Sequence, residues 1–452
     1  MITDDLKTKI LAYNAQVPRY TSYPSAPHFG PMSEGDYTVW LCMLPPVQPV
    51  SIYVHIPFCT EMCWYCGCHT TATRKYAPVE DYVTLLLREM KQVASHMPQR
   101  LTASHIHFGG GSPTMLQPDD FRHIMAEIRK LFDVQADAEI AIEGDPRGMT
   151  HDKCEAYAQS GVNRVSLGVQ DFAPHVQKAI NRMQPYDIVA GAVDRLRRFD
   201  IQNINLDLMY GLPLQTLDDV ADTAAKALSL APQRIALFGY AHVPWMKKHM
   251  RLIRDTDLPD ASARLKQFSH AEEILTAADM QPVGLDHFCA SGDTMLAAVR
   301  QRCLVRNFQG YTTDSSPVLI GFGLSSIGRM PQGFVQNYAH ITEYSASVLS
   351  GVLPVARGYA LSADDRLRGD IISDLMCYLD VDIAAVAARH GADARIFDAA
   401  VASLEGMRAD GLVEIQGMRI RVPLPARQMV RVAASRFDAH FKETPRRHVQ
   451  AA

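Results

Sequence analysis

Four cysteines, Cys59, Cys63, Cys66 and Cys68, crowd one short segment, HIPFCTEMCWYCGCHT from His55. Thiolates packed this closely can hold zinc, an iron–sulfur cluster or a redox disulfide. Structural zinc usually draws its ligands as pairs from two separated turns, and a redox disulfide needs only two thiols. The spacing C-x3-C-x2-C suits three corners of a [4Fe–4S] cluster whose fourth iron stays open. The spacing therefore favours a cluster over zinc.

The whole chain has the composition of an ordinary globular protein. It has 452 residues, of which nine are cysteines, and the odd number disfavours a disulfide framework. The first residues, MITDDLKTKILAYNAQ, are charged and lack the apolar core of a signal peptide. The net charge of −4 offers no basic field for nucleic acid, and we find no apolar run of ~18 residues. We therefore expect a cytoplasmic protein that neither binds nucleic acid nor spans a membrane.

Short apolar, β-rich runs alternate with longer amphipathic segments through the first half of the chain. This alternation predicts βαβ units and a parallel sheet. Periodicity does not separate a curved partial barrel from an open doubly wound sheet. The runs begin at Ser51, His105, Ala138, Asn163, Asn203 and Arg234.

Polar residues and glycines follow nearly every predicted strand. In parallel α/β folds the ligand binds at the carboxyl ends of the strands, so these residues map one shared pocket, with the thiols on its first loop. They are Pro57–Cys59, Gly109–Gly111, Glu143–Asp145, Gln170–Asp171, Asp207 and Tyr240–His242.

The second half of the chain has a different pattern. The run PVGLDHF from Pro282 adds a strand, whereas RNFQGYTT from Arg306 and LIGFGLSSIG from Leu319 are predicted to be loops. From Leu361 helical segments precede a small hairpin, which resembles a winged helix without the basic charge of a DNA reader. We predict an N-terminal arm at 1–35, a catalytic domain at 36–360 and a mainly helical domain at 361–452.

The cysteine spacing, with Tyr65 just before Cys66, resembles the signature of the radical S-adenosylmethionine (SAM) superfamily. An ordered set of motifs further resembles one family, the oxygen-independent coproporphyrinogen III oxidases. The motifs are VPRYTSYP from Val17, YVHIPFC from Tyr53, CGC from Cys66, GGGSPT from Gly109, IEGDPR from Ile142, LGVQDF from Leu167, NRMQ from Asn181, NLDLMYGLP from Asn205, YAHVP from Tyr240, LDHF from Leu285, RNFQGYTT from Arg306 and GFGLSSI from Gly321.

The resemblance implies a partial (β/α)6-type barrel and a [4Fe–4S] cluster held by Cys59, Cys63 and Cys66. The role of Cys68 stays open. The open iron of such a cluster chelates the amino and carboxylate groups of SAM. Positions that match contacts of the first SAM are Tyr53, Tyr65, Gly110, Gly111, Ser112 and Glu143, of which Tyr53 and Glu143 are the catalytic candidates. Positions that match contacts of a second SAM are Gln170, Arg182, Asp207, Ala241 and Ile327.

The implied reaction is the oxidative decarboxylation of two propionates of a porphyrinogen, with an unidentified electron donor and acceptor. Arginines are natural clamps for carboxylates, and we name Arg19, Arg306 and Arg329 as candidates. We expect a monomer. Alternatives are another radical SAM reaction on a tetrapyrrole (methyl transfer or haem degradation), a haem chaperone, or a structural zinc protein. The chain departs from the family's usual residues at Gly144, Gly239, Val305, Val318 and Cys289, which bears on the second SAM pocket and the substrate grip.

Overall fold

The strands predicted from the alternation form the centre of one mixed sheet. The computed structural model of the protein describes residues 3–441 and 449–450. Seven parallel strands lie side by side in the order β6-β5-β4-β3-β2-β1-β7. They are β1 (Val50–Ile56), β2 (Thr102–Gly110), β3 (Asp133–Gly144), β4 (Arg164–Gln170), β5 (Asn203–Tyr210), β6 (Arg234–Gly239) and β7 (Val318–Phe322).

The strand order decides between the two sheets that the sequence left open. Strands β1 to β6 follow one another in chain order, without the reversal that marks the switch point of a doubly wound sheet. This order is that of a partial (β/α)6-type barrel, and the six predicted strands are confirmed.

Amphipathic helices connect the parallel strands. The helix Pro118–Leu131 shows why these segments are helical. Its buried side chains Phe121, Ile124, Met125 and Ile128 recur at helical spacing and face the sheet. Proline at its first position and acids in its first turn favour the start of a helix. The connecting helices are Ala77–Ser95, Pro118–Leu131, His151–Gln159, Pro174–Ala179, Tyr186–Arg198, Leu217–Ser229 and Ala261–Ala277.

Antiparallel strands extend the sheet at both edges. Beyond β6 lie His287–Cys289 and Gln281–Val283, so the strand predicted from Pro282 is confirmed as two short strands. Beyond β7 the sheet continues with Ile327–Met330, Gly333–Asn337, Val355–Ala360 and Gly30–Pro31.

Two segments predicted to be loops are strands instead. The segment from Arg306 lies in a hairpin of Val305–Asn307 and Gly310–Thr312, and the segment from Leu319 lies largely in β7 and in the strand after it. The glycines in these two segments contributed to the wrong prediction of loops. A Cβ atom at Gly321 would lie 2.9 Å from the backbone oxygen of Ile327, so glycine serves here to bring two strands close together.

The C-terminal region consists of helices followed by a hairpin, as predicted. Its helices are Ala363–Tyr378, Ile383–Arg389, Asp398–Ala402, Glu405–Ala409 and Val430–Ser435, and its sheet contains Asp380–Asp382, Arg419–Arg421 and Glu414–Gln416. Further helices are Asp4–Ala12, Glu34–Cys42, Thr294–Arg300 and Ile341–Ser350.

The N-terminal arm shares its core with the C-terminal region. Ile10, Val17, Tyr20 and Tyr23 are buried in the same hydrophobic cluster as the helix Ala363–Tyr378. The division into three domains stays a prediction. Among the described residues, no helix combines the length and apolar character needed to cross a bilayer.

Candidate active site

The loop that carries the four cysteines is tied at its base over the carboxyl end of β1. The pair Phe58–Cys59 lies parallel to Thr71–Ala72, and the backbone N–H of Thr71 donates to the oxygen of Pro57 at 2.8 Å. Inside the loop, the N–H of Cys66 donates to the oxygen of Cys63 at 3.1 Å in a tight turn. The predicted cluster ligands therefore lie on one closed loop.

Positively charged side chains surround this loop. Arg182 Nη1 donates to the sulfur of Cys63 at 3.6 Å. Lys247 Nζ donates to the backbone oxygen of Cys68 at 2.8 Å, and His249 Nε2 lies 2.7 Å from that of Cys66. These groups would offset the negative charge of a thiolate-ligated cluster.

The thiols differ in how readily they ionise. Burial raises the pKa of Cys59 to about 11. A hydrogen bond with the Cys68 thiol, together with nearby His249 and Lys247, lowers the pKa of Cys66 to about 6 in spite of burial. Cys59, Cys63 and Cys66 are free thiols on one tied loop, and a [4Fe–4S] cluster takes one thiolate at each of three iron corners. The residues fit a [4Fe–4S] cluster.

The glycine run at the end of β2 lies directly beside the thiol loop. The N–H of Gly111 donates to Ile56 at 2.9 Å and that of Ser112 to Phe58 at 2.8 Å. Gly110 has a φ of 112°, and a Cβ atom there would lie 2.6 Å from the ring of His55. Glycine is therefore required at this position, because both the conformation and the space exclude a side chain.

Glu143 ends β3 with its carboxylate aimed at the glycine run. It lies 3.0 Å from His107 Nε2 and accepts a hydrogen bond from the N–H of Gly110 at 3.2 Å. Burial alone would raise the pKa of Glu143, but these bonds lower it below its ordinary value. The ionised carboxylate is thus available to accept hydrogen bonds from the hydroxyls or ammonium of a ligand.

Tyr53 lies beside Glu143 in the barrel interior, where its ring stacks on His107 with centroids 6.0 Å apart. His55 Nε2 lies 2.9 Å from the oxygen of His69, which can only accept, so Nε2 carries the proton. Nδ1 of His55 is then the acceptor for the hydroxyl of Tyr53 at 3.0 Å. Burial lowers the pKa of His55 to about 4, which keeps the ring neutral.

Sequence reasoning missed His55 and His107. Both alternate with named residues: His55 follows Tyr53 by two positions on β1, and His107 precedes Gly109 by two on β2. Side chains two apart on a strand share a face, and this signal could have found them. Lys247 and His249, in the segment after β6, offered no such signal.

Three of the candidates for the second SAM lie around the ends of β4 and β5. Arg182 Nη2 donates to the oxygen of Gly168 at 2.7 Å. Gln170 ends β4 with a φ of 69°, which is uncommon for a residue other than glycine and recurs at functional sites. Asp207 on β5 accepts hydrogen bonds from Ser166 at 2.9 Å and Asn205 at 2.8 Å, and burial raises its pKa to about 6.

The other two candidates lie further apart. Ala241 follows β6, two residues beyond its end. Ile327 begins the strand after β7 and lines a cavity of about 330 Å³ between the arm, the hairpin Val305–Asn307 and the helix Ala363–Tyr378. All five assignments to the second SAM stay predictions.

The candidate arginines Arg19, Arg306 and Arg329 lie in or next to this cavity. Arg306 Nη2 donates to the backbone oxygen of Arg19 at 3.5 Å, so these two lie together. Arg306 also lies over the ring of Tyr311, 4.6 Å from its centroid, and 4.0 Å from Asp286. Arg329 lines the same cavity as Arg306.

A partial (β/α)6-type barrel with a three-cysteine loop after its first strand defines a radical SAM protein. The sequence profile of the radical SAM superfamily matches residues 53–227, and the profile of the HemN C-terminal domain matches residues 361–429. This membership implies a [4Fe–4S] cluster and SAM.

Curated relatives extend over nearly the whole chain. The oxygen-independent coproporphyrinogen III oxidase of Bradyrhizobium diazoefficiens is 47% identical over 96% of this chain and 97% of its own length. The anaerobic coproporphyrinogen III oxidase 1 of Cereibacter sphaeroides is 40% identical over 96% of each chain. The solved structure of HemN from Escherichia coli, titled a radical SAM enzyme, is 33% identical with a TM-score of 0.89, over 94% of this chain and all of its own. The chain belongs to the oxygen-independent coproporphyrinogen III oxidase family.

Proposed function

We propose that the protein converts coproporphyrinogen III to protoporphyrinogen IX in haem biosynthesis. The reaction is the oxygen-independent decarboxylation of two propionate side chains to vinyl groups. The observation that carries the proposal is the tied three-cysteine loop beside Glu143 and the glycine run, in a chain that is 47% identical to a named oxidase. The electron donor and the final acceptor are not identified by this chain's residues.

When bound, the cluster and SAM would supply the chemistry that removes a hydrogen atom from the β-carbon of a propionate, by way of a 5′-deoxyadenosyl radical. The propionate then releases CO2 and passes one electron to an acceptor, and its two remaining carbons become the vinyl group. Each vinyl group thus accounts for one hydrogen atom, one CO2 and one electron. Two propionates react in turn.

The residues of the loop have distinct tasks in this proposal. Cys59, Cys63 and Cys66 would hold the cluster. Arg182, with its hydrogen bond to the Cys63 sulfur, would balance its negative charge. The hydrophobic surroundings of Tyr65, which packs against the cluster of Tyr240 and Met250, would exclude water from the radical.

The first SAM would bind along the glycine run. Gly110, Gly111 and Ser112 let the ligand approach the backbone, and the Glu143 carboxylate would bind its ribose hydroxyls or ammonium. Tyr53, oriented by its hydrogen bond to His55, would contact the same ligand. Glu143 and Tyr53 therefore orient SAM rather than exchange protons with it.

A second SAM is part of the proposal. Gln170, Arg182 and Asp207 combine an amide, a guanidinium and a carboxylate around the ends of β4 and β5, and these groups match the carboxylate and ammonium of a methionyl moiety. Ala241 and Ile327 complete the proposed set. Equilibrium binding of SAM to the cluster-loaded protein, with Asp207→Asn as the variant, counts the sites.

The proposed function is tested by anaerobic turnover. The protein is reconstituted with iron and sulfide, then given a reductant, SAM and coproporphyrinogen III. We expect 5′-deoxyadenosine and protoporphyrinogen IX to form together. A methylated product without CO2 would point to methyl transfer. Tight haem binding without SAM cleavage would point to a chaperone. A colourless, zinc-loaded protein would point to a structural zinc site.

A further inference from the structure

Arginines are concentrated near the carboxyl ends of β5 and β6, on the side of the barrel away from the cysteine-bearing strand. The arginines are Arg19 in the arm, Arg264 in the helix Ala261–Ala277, Arg306 in the hairpin, and Arg427 and Arg431 in the C-terminal region. The ion pairs within this group are long or already engaged. Arg306 lies 4.0 Å from Asp286, which is bonded to His287 at 2.8 Å, and Arg427 pairs with Glu272 at 3.1 Å. Among the described residues, the ion pair of Arg306 is therefore at the limit of contact distance, and its carboxylate already contacts His287.

Arg264 lies among aromatic and glycine neighbours at the ends of β5 and β6. Its guanidinium lies over the ring of Tyr210, 5.5 Å from the centroid, and its Nε is buried without a hydrogen-bond acceptor. In the part of the chain that the structure describes, no carboxylate forms an ion pair with Arg264. A guanidinium that is held in place without a carboxylate is free to form a bidentate pair with an anionic group of a ligand.

Arg306 shows the same shortage of acceptors. Its side chain is only 7% exposed, and its Nε and Nη1 have no hydrogen-bond partner in residues 3–441. Arg306 Nη2 donates to the backbone oxygen of Arg19 at 3.5 Å, which places the Arg306 guanidinium beside a second arginine. Like charges held together in this way are relieved by an added anion.

Two glycines leave the space that the Arg264 guanidinium occupies above the strands. Gly211 follows β5 with a φ of 78°, and a Cβ atom there would collide with the guanidinium. At Gly239, the last residue of β6, a Cβ atom would lie 3.1 Å from Arg264 Nη2 and 2.9 Å from the hydroxyl of Tyr210. The absence of a side chain leaves the guanidinium open toward the barrel mouth.

We propose that Arg264, together with Arg19 and Arg306, binds a propionate of the substrate that is not decarboxylated. This inference rests on the proposed function. The reacting propionate must lie near Tyr53 and Glu143, at β1 and β3, whereas Arg264 lies at β5 and β6. A tetracarboxylate that spans the mouth would place a different propionate on each side. The guanidinium fork matches the carboxylate in a bidentate pair.

The test compares Arg264→Gln with the wild type in cluster-loaded protein. Loss of one charge-assisted pair is expected to raise the KM for coproporphyrinogen III about 10- to 100-fold. Arg264→Lys, which keeps the charge without the fork, should fall between the two. Iron content and the slow cleavage of SAM without substrate should not change, which separates a lost contact from misfolding. The matched control is Arg300→Gln, an exposed arginine at the end of the helix Thr294–Arg300.

An unchanged KM in Arg264→Gln, with product still formed, would overturn this inference and leave the proposed function standing. If the wild type makes no product, the proposed function is wrong. The inference about Arg264 is then tested separately, by measuring the binding of a tetracarboxylate porphyrin. The probe is then coproporphyrin III, a fluorescent tetracarboxylate. Weaker binding to Arg264→Gln than to Arg300→Gln supports a carboxylate site, and equal binding refutes it.

Discussion

The two ends of the barrel are both rich in charged side chains, but the carboxyl end also holds the Arg264 guanidinium, which forms no ion pair with any described residue. At the amino ends of the strands a cavity of about 550 Å³ is lined by polar residues. Its ion pairs are Arg164–Glu139 at 2.9 Å, Arg234–Asp293 at 2.8 Å and His105–Asp314 at 3.3 Å. At the carboxyl ends lie free thiols, the arginine group around Arg264 and a carboxylate, Glu143, with open acceptor positions.

We therefore assign the paired charges to the stability of the fold and the charges without a partner to the binding of a ligand. A buried pair with complete hydrogen bonds contributes to a defined structure, and removing one partner leaves an uncompensated charge. A group that is withdrawn from water and left without a partner is instead unfavourable for folding and indicates binding.

The largest effect is expected from Cys63→Ala at the carboxyl end. Removing one of three ligands should abolish cluster assembly and with it all SAM cleavage. Iron and sulfide analysis and 5′-deoxyadenosine formation measure both. Cys42→Ala, at an exposed cysteine outside the loop, is the control. Full iron content in Cys63→Ala would remove this residue from the ligand set.

At the amino end, Arg234→Met should destabilise the protein without changing its affinity for SAM. The bidentate pair with Asp293 is buried, so the variant leaves that carboxylate uncompensated, at about 3–5 kcal/mol. The shift of the urea midpoint measures this. The double variant Arg234→Met with Asp293→Leu should recover part of the loss. Weaker SAM binding with unchanged stability would reverse the assignment of the two ends.

Glu89, a buried acid with neutral partners, tests through the pH dependence of stability whether a buried charge without a counter-charge destabilises the fold. Glu89 accepts hydrogen bonds from Gly323, Asn337 and Tyr344, and burial raises its pKa from 4.5 to about 7. Between these values the folded state holds the proton that the unfolded state has lost, so stability falls as pH rises. The loss is complete above the folded pKa, at about 3 kcal/mol.

Glu89→Gln should therefore gain stability relative to the wild type as pH rises from about 4.5 to 7, and no further above it. Unfolding by urea at a series of pH values measures this difference. A difference that is constant over the range would show that Glu89 is ionised when folded, and the burial argument would be wrong.

The smallest effect is expected from Glu143→Gln. The amide keeps the shape but loses the charge that strengthens hydrogen bonds to SAM, which is worth about 1.5–3 kcal/mol. The Kd of SAM should rise about 10- to 100-fold, with the cluster intact. Glu80→Gln, an exposed acid on the helix Ala77–Ser95, should bind SAM as the wild type does. Equal affinities would place SAM elsewhere.

The sequence predicted most of the barrel and the centre of the candidate site, because both are local patterns. The alternation of apolar runs marked β1 to β6, and the spacing of Cys59, Cys63 and Cys66 marked the loop. Strand β7 escaped because it is short and contains Gly321, whose role is a close approach to Ile327 on another strand.

The residues that escaped prediction depend on contacts between distant segments. In the sequence, Arg264 is one polar position on an amphipathic helix. Its guanidinium comes close to Tyr210 and Gly239 only in the folded chain. Lys247 and His249 reach the cysteine loop from a segment after β6 that has no regular pattern. Contacts between such distant segments are determined by the topology of the fold, which patterns in a single sequence do not encode.

The most direct test of the proposed reaction follows deuterium from the propionate β-carbon of the substrate into 5′-deoxyadenosine. Coproporphyrinogen III carrying deuterium at the β-carbons of its propionates is incubated anaerobically with the cluster-loaded protein, a reductant and SAM. We predict that deuterium appears in 5′-deoxyadenosine as CO2 is released. Protoporphyrinogen IX formed together with unlabelled 5′-deoxyadenosine would contradict the account, because hydrogen would then not pass from the propionate to the radical.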